Sequence, residues 1–357
     1  MALFLRATET DIVDKEPDEH MAPNLPEHGA QIGRYVDAHH FQDGIFSEVF
    51  RAKAPETGQA VALKITVPSM MNAPHDSKKE ARILTAAKGP AIVELIETFQ
   101  QAGDRFILVF PFFPHDLEAL FDKDRLPVAA RKRVLKDLFG GLAHLHDLGI
   151  IHRDIKPSNI LLSSPNGPAY IADFGIAWSP SDPASEPGDQ KILDVGTTSY
   201  RPPELLFGNT SYGTKLDMWA AGCVAAQVLH LGRRTLFDAG DLGSELALIR
   251  SIFMALGTPD LDVWPVRTSP RQTPESRRLA CTTANNALTI TTQEAADLPD
   301  WGKMNFTKYP RKPWEEILPD IASEARDFVS NLVVYESGCR MTAAQVSGDH
   351  RPKNHQN

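Results

Sequence analysis

The chain has 357 residues, of which 42% are hydrophobic and 23% charged, and its formal net charge is −9. This length is enough for one large domain or two of ordinary size, and the negative charge argues against nonspecific binding to nucleic acid. The three cysteines lie far apart without C-x-x-C spacing, which favours reduced thiols in the nucleus or cytoplasm over a disulfide framework or a zinc site. No apolar run approaches the ~18 residues of a membrane-spanning helix, so we expect no membrane partner.

The pattern of the chain changes near residue 30. Residues 1–28 are acidic and contain prolines without a sustained period, and they are predicted to form a flexible extension. Strand-like patterns follow at 35–36, 48–52 and 61–65, and the turn residues 55–58 predict a hairpin between the last two.

Helical and apolar patterns continue toward the middle of the chain. Glu80 opens the string E-A-R-I-L, which has helical periodicity. The unbroken apolar run 106–110 predicts a buried strand, and residues 129–148 carry apolar side chains at the spacing of a core helix.

Three short strings carry the strongest signal. They read H-R-D-I-K-P-S-N over 152–159, D-F-G over 173–175 and R-P-P-E over 201–204. Their order matches the catalytic loop, magnesium loop and activation-segment end of protein kinases, and V-A-L-K ending at Lys64 matches the kinase strand that carries the ATP lysine. The sequence therefore resembles the eukaryotic serine/threonine protein kinases.

The resemblance implies an α+β, bilobal fold that uses ATP and Mg2+ and acts on a protein substrate. A small lobe with an antiparallel β-sheet and one helix is expected over 29–113, and a larger, mainly helical lobe over 114–345. Asp217 is expected to brace the catalytic loop, and Glu204 to form a buried ion pair with Arg340.

The catalytic residues implied by the resemblance suit phosphoryl transfer, which requires positioning and charge neutralisation. Asp154 is expected to accept the proton of the substrate hydroxyl, and Lys156 to reach the transferring phosphoryl group. Thr197 matches the threonine that bonds the catalytic aspartate. Asn159 and Asp173 are the expected Mg2+ ligands.

The ATP site is expected between the lobes. Lys64 is expected to grip the α- and β-phosphates and Glu80 to hold it in place, while Phe110 is the expected gatekeeper at the back of the adenine pocket. Residues 111–114 are the expected hinge. The full set of expected ATP-binding residues is Gly44, Val49, Ala62, Lys64, Glu80, Phe110, Pro111, Phe113, Asp116, Leu161 and Asp173.

The phosphate-covering loop departs from the family pattern. The expected G-x-G-x-x-G-x-V appears over 42–49 as Q-D-G-I-F-S-E-V, so Gly44 alone remains. Because glycines let backbone amides approach phosphates closely, we expect a weaker or stiffer grip on ATP. This loss keeps open an alternative function, a catalytically impaired pseudokinase that acts as a binding scaffold. The intact catalytic set argues for an enzyme, since a scaffold does not need it.

The activation segment lacks a hydroxyl where cyclin-dependent kinases carry a phosphothreonine. That place falls on Ile192, and Asp194 nearby is expected to offer a fixed negative charge to Arg153 of the H-R-D string. The segment is therefore predicted to be ordered without phosphorylation.

Further features narrow the branch. Arg201 after Tyr200 resembles the cyclin-dependent and mitogen-activated kinases, and the string P-H-D-S-K-K-E at 74–80 lacks the usual cyclin-binding signature. Together with the glycine-poor loop, these features resemble the fungal single-subunit kinases that activate cyclin-dependent kinases. The resemblance implies a monomer of the nucleus or cytoplasm that phosphorylates the activation-loop threonine of a cyclin-dependent kinase without a cyclin. A proline-directed kinase with other targets stays open.

Residues 266–293 look foreign to the family pattern. They are rich in Thr, Ala, Arg and Ser without periodicity, and their removal restores the family spacing. We interpret them as a retained in-frame intron in a predicted gene product, with a natural solvated loop as the alternative, and 346–357 as possible read-through. A main cDNA species that contains the codons for 266–293 would contradict the intron.

Overall fold

The computed structural model describes residues 29–123, 126–230, 234–259, 298–303 and 305–348. The predicted extension 1–28 and the insert 266–293 lie outside the described residues, and the tail predicted from residue 346 is described only to Gly348. Within the described ranges, no helix is long and apolar enough to cross a membrane.

The first part of the described chain is an antiparallel β-sheet. Its strands are β1 (Ala30–Ile32), β2 (Tyr35–Asp43), β3 (Ser47–Lys53), β4 (Ala60–Thr66), β5 (Glu97–Gln101) and β6 (Arg105–Pro111). They are ordered β1-β2-β3-β4-β6-β5. Alternate residues of β4, such as Val61, Leu63 and Ile65, are buried in the core of this sheet, as the period of two along a strand requires. The predicted hairpin joins β3 to β4, and Gly58 in its turn has a φ of 69°, which glycine adopts without strain.

One helix, α1 (Ser77–Ala86), connects β4 to β5. The carboxylate of Asp76 accepts hydrogen bonds from the backbone N–H groups of Lys78 and Lys79, which would otherwise lack partners at the start of the helix. Ile83 and Leu84 on this helix belong to the large core of the second part of the chain. Helix α1 therefore joins the two parts, because it follows β4 of the sheet and packs against the core of the helical part.

The second part is mainly helical and contains a small sheet of β7 (His115–Asp116), β8 (Ile160–Leu162) and β9 (Ala169–Ile171). Its core forms around α3 and α5, where Leu142 and Trp219 are fully buried. The described helices here are α2 (Leu117–Asp122), α3 (Val128–Asp147), α4 (Pro203–Leu206), α5 (Lys215–Leu229), α6 (Glu245–Leu256), α7 (Trp314–Ile317), α8 (Ser323–Leu332) and α9 (Ala343–Ser347).

The predicted α+β, bilobal fold class is confirmed. The predicted strand patterns fall within β2, β3, β4 and β6, and the two predicted helices correspond to α1 and α3. The H-R-D and D-F-G strings lie at the boundary of the sheet and the helical part, where a cleft opens, whereas R-P-P-E leads into α4 within the helical part.

Candidate active site

The cleft lies under the sheet, with the catalytic-loop and D-F-G residues on its floor. Eleven of the predicted site residues line it. The structure adds seven further lining residues, the apolar Phe41, Val93, Phe112 and Ala172 and the polar Gln42, Ser47 and Ser158. The predicted lining residues are Gly44, Val49, Ala62, Lys64, Glu80, Phe110, Pro111, Phe113, Asn159, Leu161 and Asp173. A mostly apolar cleft with a few convergent charges is the usual form of a small-molecule site.

Lys64 on β4 is the central charge of the cleft. Its Nζ lies 2.8 and 2.9 Å from the two carboxylate oxygens of Glu80 on α1, so the predicted pair is formed, and 2.8 Å from Oδ1 of Asp173. Burial opposes the charge of Lys64, but the carboxylates of Asp173 and Glu80 hold its pKa above the ordinary value. The charge on Lys64 lowers the pKa of Asp173. Lys64 and Asp173 are therefore ionised near neutral pH, whereas burial raises the pKa of Glu80 above its ordinary value.

The catalytic loop is braced from beneath by Asp217 of α5, as expected. Its carboxylate, which is fully buried, accepts the backbone N–H groups of His152 and Arg153 at 2.9 Å each and also contacts Nε2 of His146 at 2.9 Å. This support fixes a strained backbone, since Arg153 has a φ of 71°.

Asp154 is oriented by three neighbours. Its Oδ1 accepts the backbone N–H and the hydroxyl of Thr197, each at 2.8 Å. Its Oδ2 lies 2.9 Å from Nζ of Lys156 and 3.0 Å from Nδ2 of Asn159. Lys156 also donates to the Thr197 hydroxyl at 2.8 Å. The four predicted catalytic residues thus form one connected cluster at the edge of the cleft.

The expectation that Asp194 would face Arg153 is wrong. Asp194 is 90% exposed and pairs with Arg201 at 2.8 Å. Arg153, whose side chain is fully buried, instead meets both carboxylate oxygens of Glu186 at 2.9 and 2.8 Å and the hydroxyl of Tyr212 at 3.1 Å.

The path of the activation segment explains this difference. Ile192 and Leu193 pack against the small apolar cluster that includes Tyr212, and the Ile192 carbonyl accepts the Tyr212 hydroxyl at 2.7 Å. This packing leaves Asp194 at the surface. Glu186 is held over Arg153 because its backbone carbonyl accepts the indole N–H of Trp178 at 2.9 Å.

In the phosphate-covering loop, the backbone of the remaining glycine, Gly44, forms a hydrogen bond within the loop itself. The backbone N–H of Gly44 donates to the Ser47 carbonyl at 2.7 Å, which closes the loop into a tight turn. The Phe46 ring at the tip contacts the His75 ring, with centroids 4.8 Å apart. The Gly44 amide is therefore engaged within the loop, which removes one backbone donor that could contact a phosphate.

Asp116 stands apart from the other predicted ATP-binding residues. It is absent from the cleft lining, and its Oδ1 accepts the backbone N–H of Ala119 at 2.7 Å as the cap of α2. Its contact with the ribose stays a prediction. Phe110, the expected gatekeeper, lines the cleft and packs against the core of the helical part.

The donors near the phosphate end of the cleft fit Mg2+. Asp173 has a half-exposed carboxylate, and Asn159 uses Nδ2 for its bonds to Asp154, so that its amide oxygen has no protein partner among the described residues. Carboxylate and amide oxygens are the hard ligands that Mg2+ prefers.

Sequence reasoning missed Glu186 and the contact of Arg82 on α1 with Asp182. Glu186 carries no local motif, and its role depends on how the segment folds back over Arg153. The apolar lining residues Val93 and Ala172 could have been predicted from the sequence, since Ala172 directly precedes the D-F-G string and Val93 lies in an apolar stretch.

Comparison with known proteins agrees with this geometry. The model of the protein kinase domain matches residues 35–350. The "Serine/threonine-protein kinase csk1" of Schizosaccharomyces pombe is 33% identical over 86% of this chain and 92% of its own length, and "Cyclin-dependent kinase 20" of Danio rerio is 31% identical over 85% and 79%. In the crystal structure of the yeast RNA Pol II CTD kinase CTDK-1 complex, one chain superposes with a TM-score of 0.66 at 26% identity, covering 89% of this chain and 92% of that one.

The fold and the cleft define a serine/threonine protein kinase, an enzyme class that transfers phosphate from ATP with Mg2+. The chain belongs to the protein kinase family, in its cyclin-dependent-kinase-like branch. The predicted resemblance is thereby confirmed.

Proposed function

We propose that this enzyme phosphorylates the activation-loop threonine of a cyclin-dependent kinase, and that it does so as a monomer of the nucleus or cytoplasm without a cyclin and without phosphate on its own activation segment. The observation that carries the proposal is the contact between Arg153 and Glu186. The carboxylate of Glu186 neutralises Arg153, the arginine that a phosphate on the activation segment would otherwise have to bind. Glu80 also already reaches Lys64 in this single chain.

In the proposed reaction, Asp154 accepts the proton of the substrate hydroxyl as that oxygen attacks the γ-phosphorus of ATP, and the bond from this phosphorus to the bridging oxygen breaks so that ADP leaves. Thr197 holds the receiving carboxylate in orientation, and Lys156 lies 2.9 Å from it, at the place where a transferring phosphoryl group would need a positive neighbour. Asn159 and Asp173 would hold Mg2+, which neutralises phosphate charge when bound. Lys64 neutralises the phosphates that do not react.

A transfer assay tests the proposal. The enzyme is produced in bacteria, so that no upstream kinase modifies it, and is incubated with radiolabelled ATP and a purified cyclin-dependent kinase that lacks activation-loop phosphate. We expect label on the loop threonine with wild type and none with Asp154→Asn. Absence of transfer from folded wild type, and also from a variant lacking 266–293, would favour the scaffold, for which the satisfied Gly44 amide is the supporting observation.

One observation favours the proline-directed alternative. The side chain of Arg201 donates to the Gly196 carbonyl at 2.9 Å, directly beside Thr197, and Gly196 has a φ of 76°. The bond from Arg201 already occupies one lone pair of this carbonyl and makes it a poorer acceptor for the backbone N–H of a bound peptide, whereas proline has no such N–H to satisfy. A peptide library that varies the residue after the phosphoacceptor separates the two: strong selection of proline supports this alternative.

A further inference from the structure

Helix α1 must stay close to the cleft if Glu80 is to hold Lys64. On its inner side, the helix is tied by that ion pair, and at its start the backbone N–H of Asp76 donates to the Gly175 carbonyl at 3.2 Å. The first contact lies on the face of the helix that points to the cleft, and the second lies at its N-terminal end. A third contact reaches the helix from the activation segment.

That contact joins Arg82 on α1 to Asp182. The guanidinium meets both carboxylate oxygens, Nε to Oδ2 at 2.8 Å and Nη2 to Oδ1 at 3.0 Å. Such two-point pairs fix direction as well as distance. The side chain of Asp182 is only 5% exposed although that of Arg82 is 45% exposed, so the carboxylate is the anchored member of the pair.

The segment around Asp182 is itself folded into a turn. Asp182 accepts the backbone N–H of Ala184 through its side chain at 2.9 Å and that of Ser185 through its carbonyl at 3.1 Å. Four residues after Asp182, Glu186 grips Arg153 of the catalytic loop. The turn therefore connects α1 on one side to the catalytic loop on the other.

We propose that Arg82 and Asp182 are positioning residues, which hold α1 inward and so maintain the Lys64–Glu80 pair without an external protein. This inference rests on the proposed function, because it assumes that the Lys64–Glu80 pair serves phosphoryl transfer. Through this contact the activation segment of the same chain covers the part of α1 around Arg82. The pair would thus give α1 the support that a cyclin-independent kinase cannot take from a separate protein.

Charge exchange tests the proposal. The variants are Arg82→Asp, Asp182→Arg and the double exchange, with Lys78→Asp as a control that makes the same charge change at an exposed position on the same helix. Deuterium uptake of the peptide over 77–86 reports on α1 independently of catalysis. Initial rates with a generic basic protein and with the cyclin-dependent kinase report on transfer, and thermal unfolding verifies that each variant folds.

We expect each single exchange to raise deuterium uptake over α1 and to lower kcat about tenfold, with a smaller change in the KM for ATP, because α1 then loses the contact that holds Glu80 against Lys64. The double exchange is expected to recover most of the kcat and of the protection from exchange, and Lys78→Asp to resemble wild type. A double exchange no better than the single ones, or unchanged uptake in the single exchanges, would overturn the proposal. If wild type phosphorylates the generic protein but not the cyclin-dependent kinase, the proposed substrate is refuted. The role of Arg82 and Asp182 is then still tested by the rates of the variants on the generic protein and by their deuterium uptake.

Discussion

Arg153 and Glu186 are joined by two hydrogen-bonded contacts of 2.9 and 2.8 Å, although they lie 33 positions apart in the chain. The arginine side chain is fully buried and that of the glutamate is 15% exposed. A guanidinium in such surroundings needs an anion, because an unpaired buried charge is costly. In this enzyme the anion is part of the sequence, so the activation segment and the catalytic loop are linked as soon as the chain folds.

Replacement of Glu186 by Gln should therefore lower the transfer rate. The variant keeps the shape of the side chain but leaves Arg153 without its counter-charge, and we expect kcat to fall about tenfold or more, corresponding to at least ~1.4 kcal/mol of lost positioning. The KM for ATP should change little, since Glu186 does not line the cleft. Initial-rate kinetics at varied ATP measure both quantities.

The matched control is Asp194→Asn. It removes a carboxylate from the same segment at a position that is 90% exposed and does not touch Arg153. We expect nearly wild-type kcat from it. A larger loss in Asp194→Asn than in Glu186→Gln would mean that the segment is ordered through the surface carboxylate.

The same ion pair should leave a signature in the pH dependence of stability. Burial opposes the charge of Glu186, but the hydrogen bonds from Arg153 lower its pKa from the ordinary 4.5 to about 2. A group with a lowered pKa stabilises the fold fully above its unfolded value and loses this contribution as the pH falls through the folded value. The free energy of unfolding should therefore differ between wild type and Glu186→Gln by a constant amount from pH 5 to 8, and the difference should shrink below about pH 4.5. Urea titrations across this range measure it, and a difference that grows toward low pH would contradict the assignment.

The contrast between Glu186 and Asp194 shows how far the sequence reaches. Local strings singled out Asp154, Asn159 and Asp173, and the structure places Asn159 and Asp173 in the cleft with Asp154 bonded to Asn159, because each loop carries its residues consecutively. Residue counting along the activation segment gave the position of Asp194 but not the direction of its side chain. The packing of Ile192 and Leu193 against an apolar cluster leaves Asp194 at the surface.

Long-range partners were predictable only where a family motif supplied both members. The pairs Lys64–Glu80 and Glu204–Arg340 were expected from matching strings and are in contact. The pair Arg82–Asp182 has no such strings, and its existence follows from the three-dimensional course of the segment. The structure also shows a contact of Asp116 that the family motif does not predict. The motif assigns Asp116 to the ribose, whereas its side chain caps the start of α2.

Asp154→Asn should abolish transfer while preserving the fold and ATP binding. The amide cannot accept the proton of the substrate hydroxyl, and general-base contributions amount to roughly 10²–10⁴-fold in rate. The backbone N–H of Thr197 can still donate to the oxygen of the new side chain, and the backbone carbonyl at 154 keeps its bond from Asn159. We expect calorimetric ATP affinity within about twofold of wild type. Undiminished transfer by this variant would refute every catalytic role assigned to the loop.

Breaking the buried pair of Glu204 and Arg340 should strongly destabilise the helical part. Both side chains are almost fully buried, and the two guanidinium nitrogens lie 2.5 and 2.6 Å from the two carboxylate oxygens. Arg340→Leu leaves the Glu204 carboxylate without its counter-charge in an apolar setting, which typically costs about 3–5 kcal/mol. Urea denaturation should show this loss in the free energy of unfolding. In the exposed pair Lys88–Glu94, Lys88→Ala should cost less than about 1 kcal/mol, because exposed ion pairs are screened by water and salt. Equal losses in the two variants would show that burial does not set the value of the Glu204–Arg340 contact.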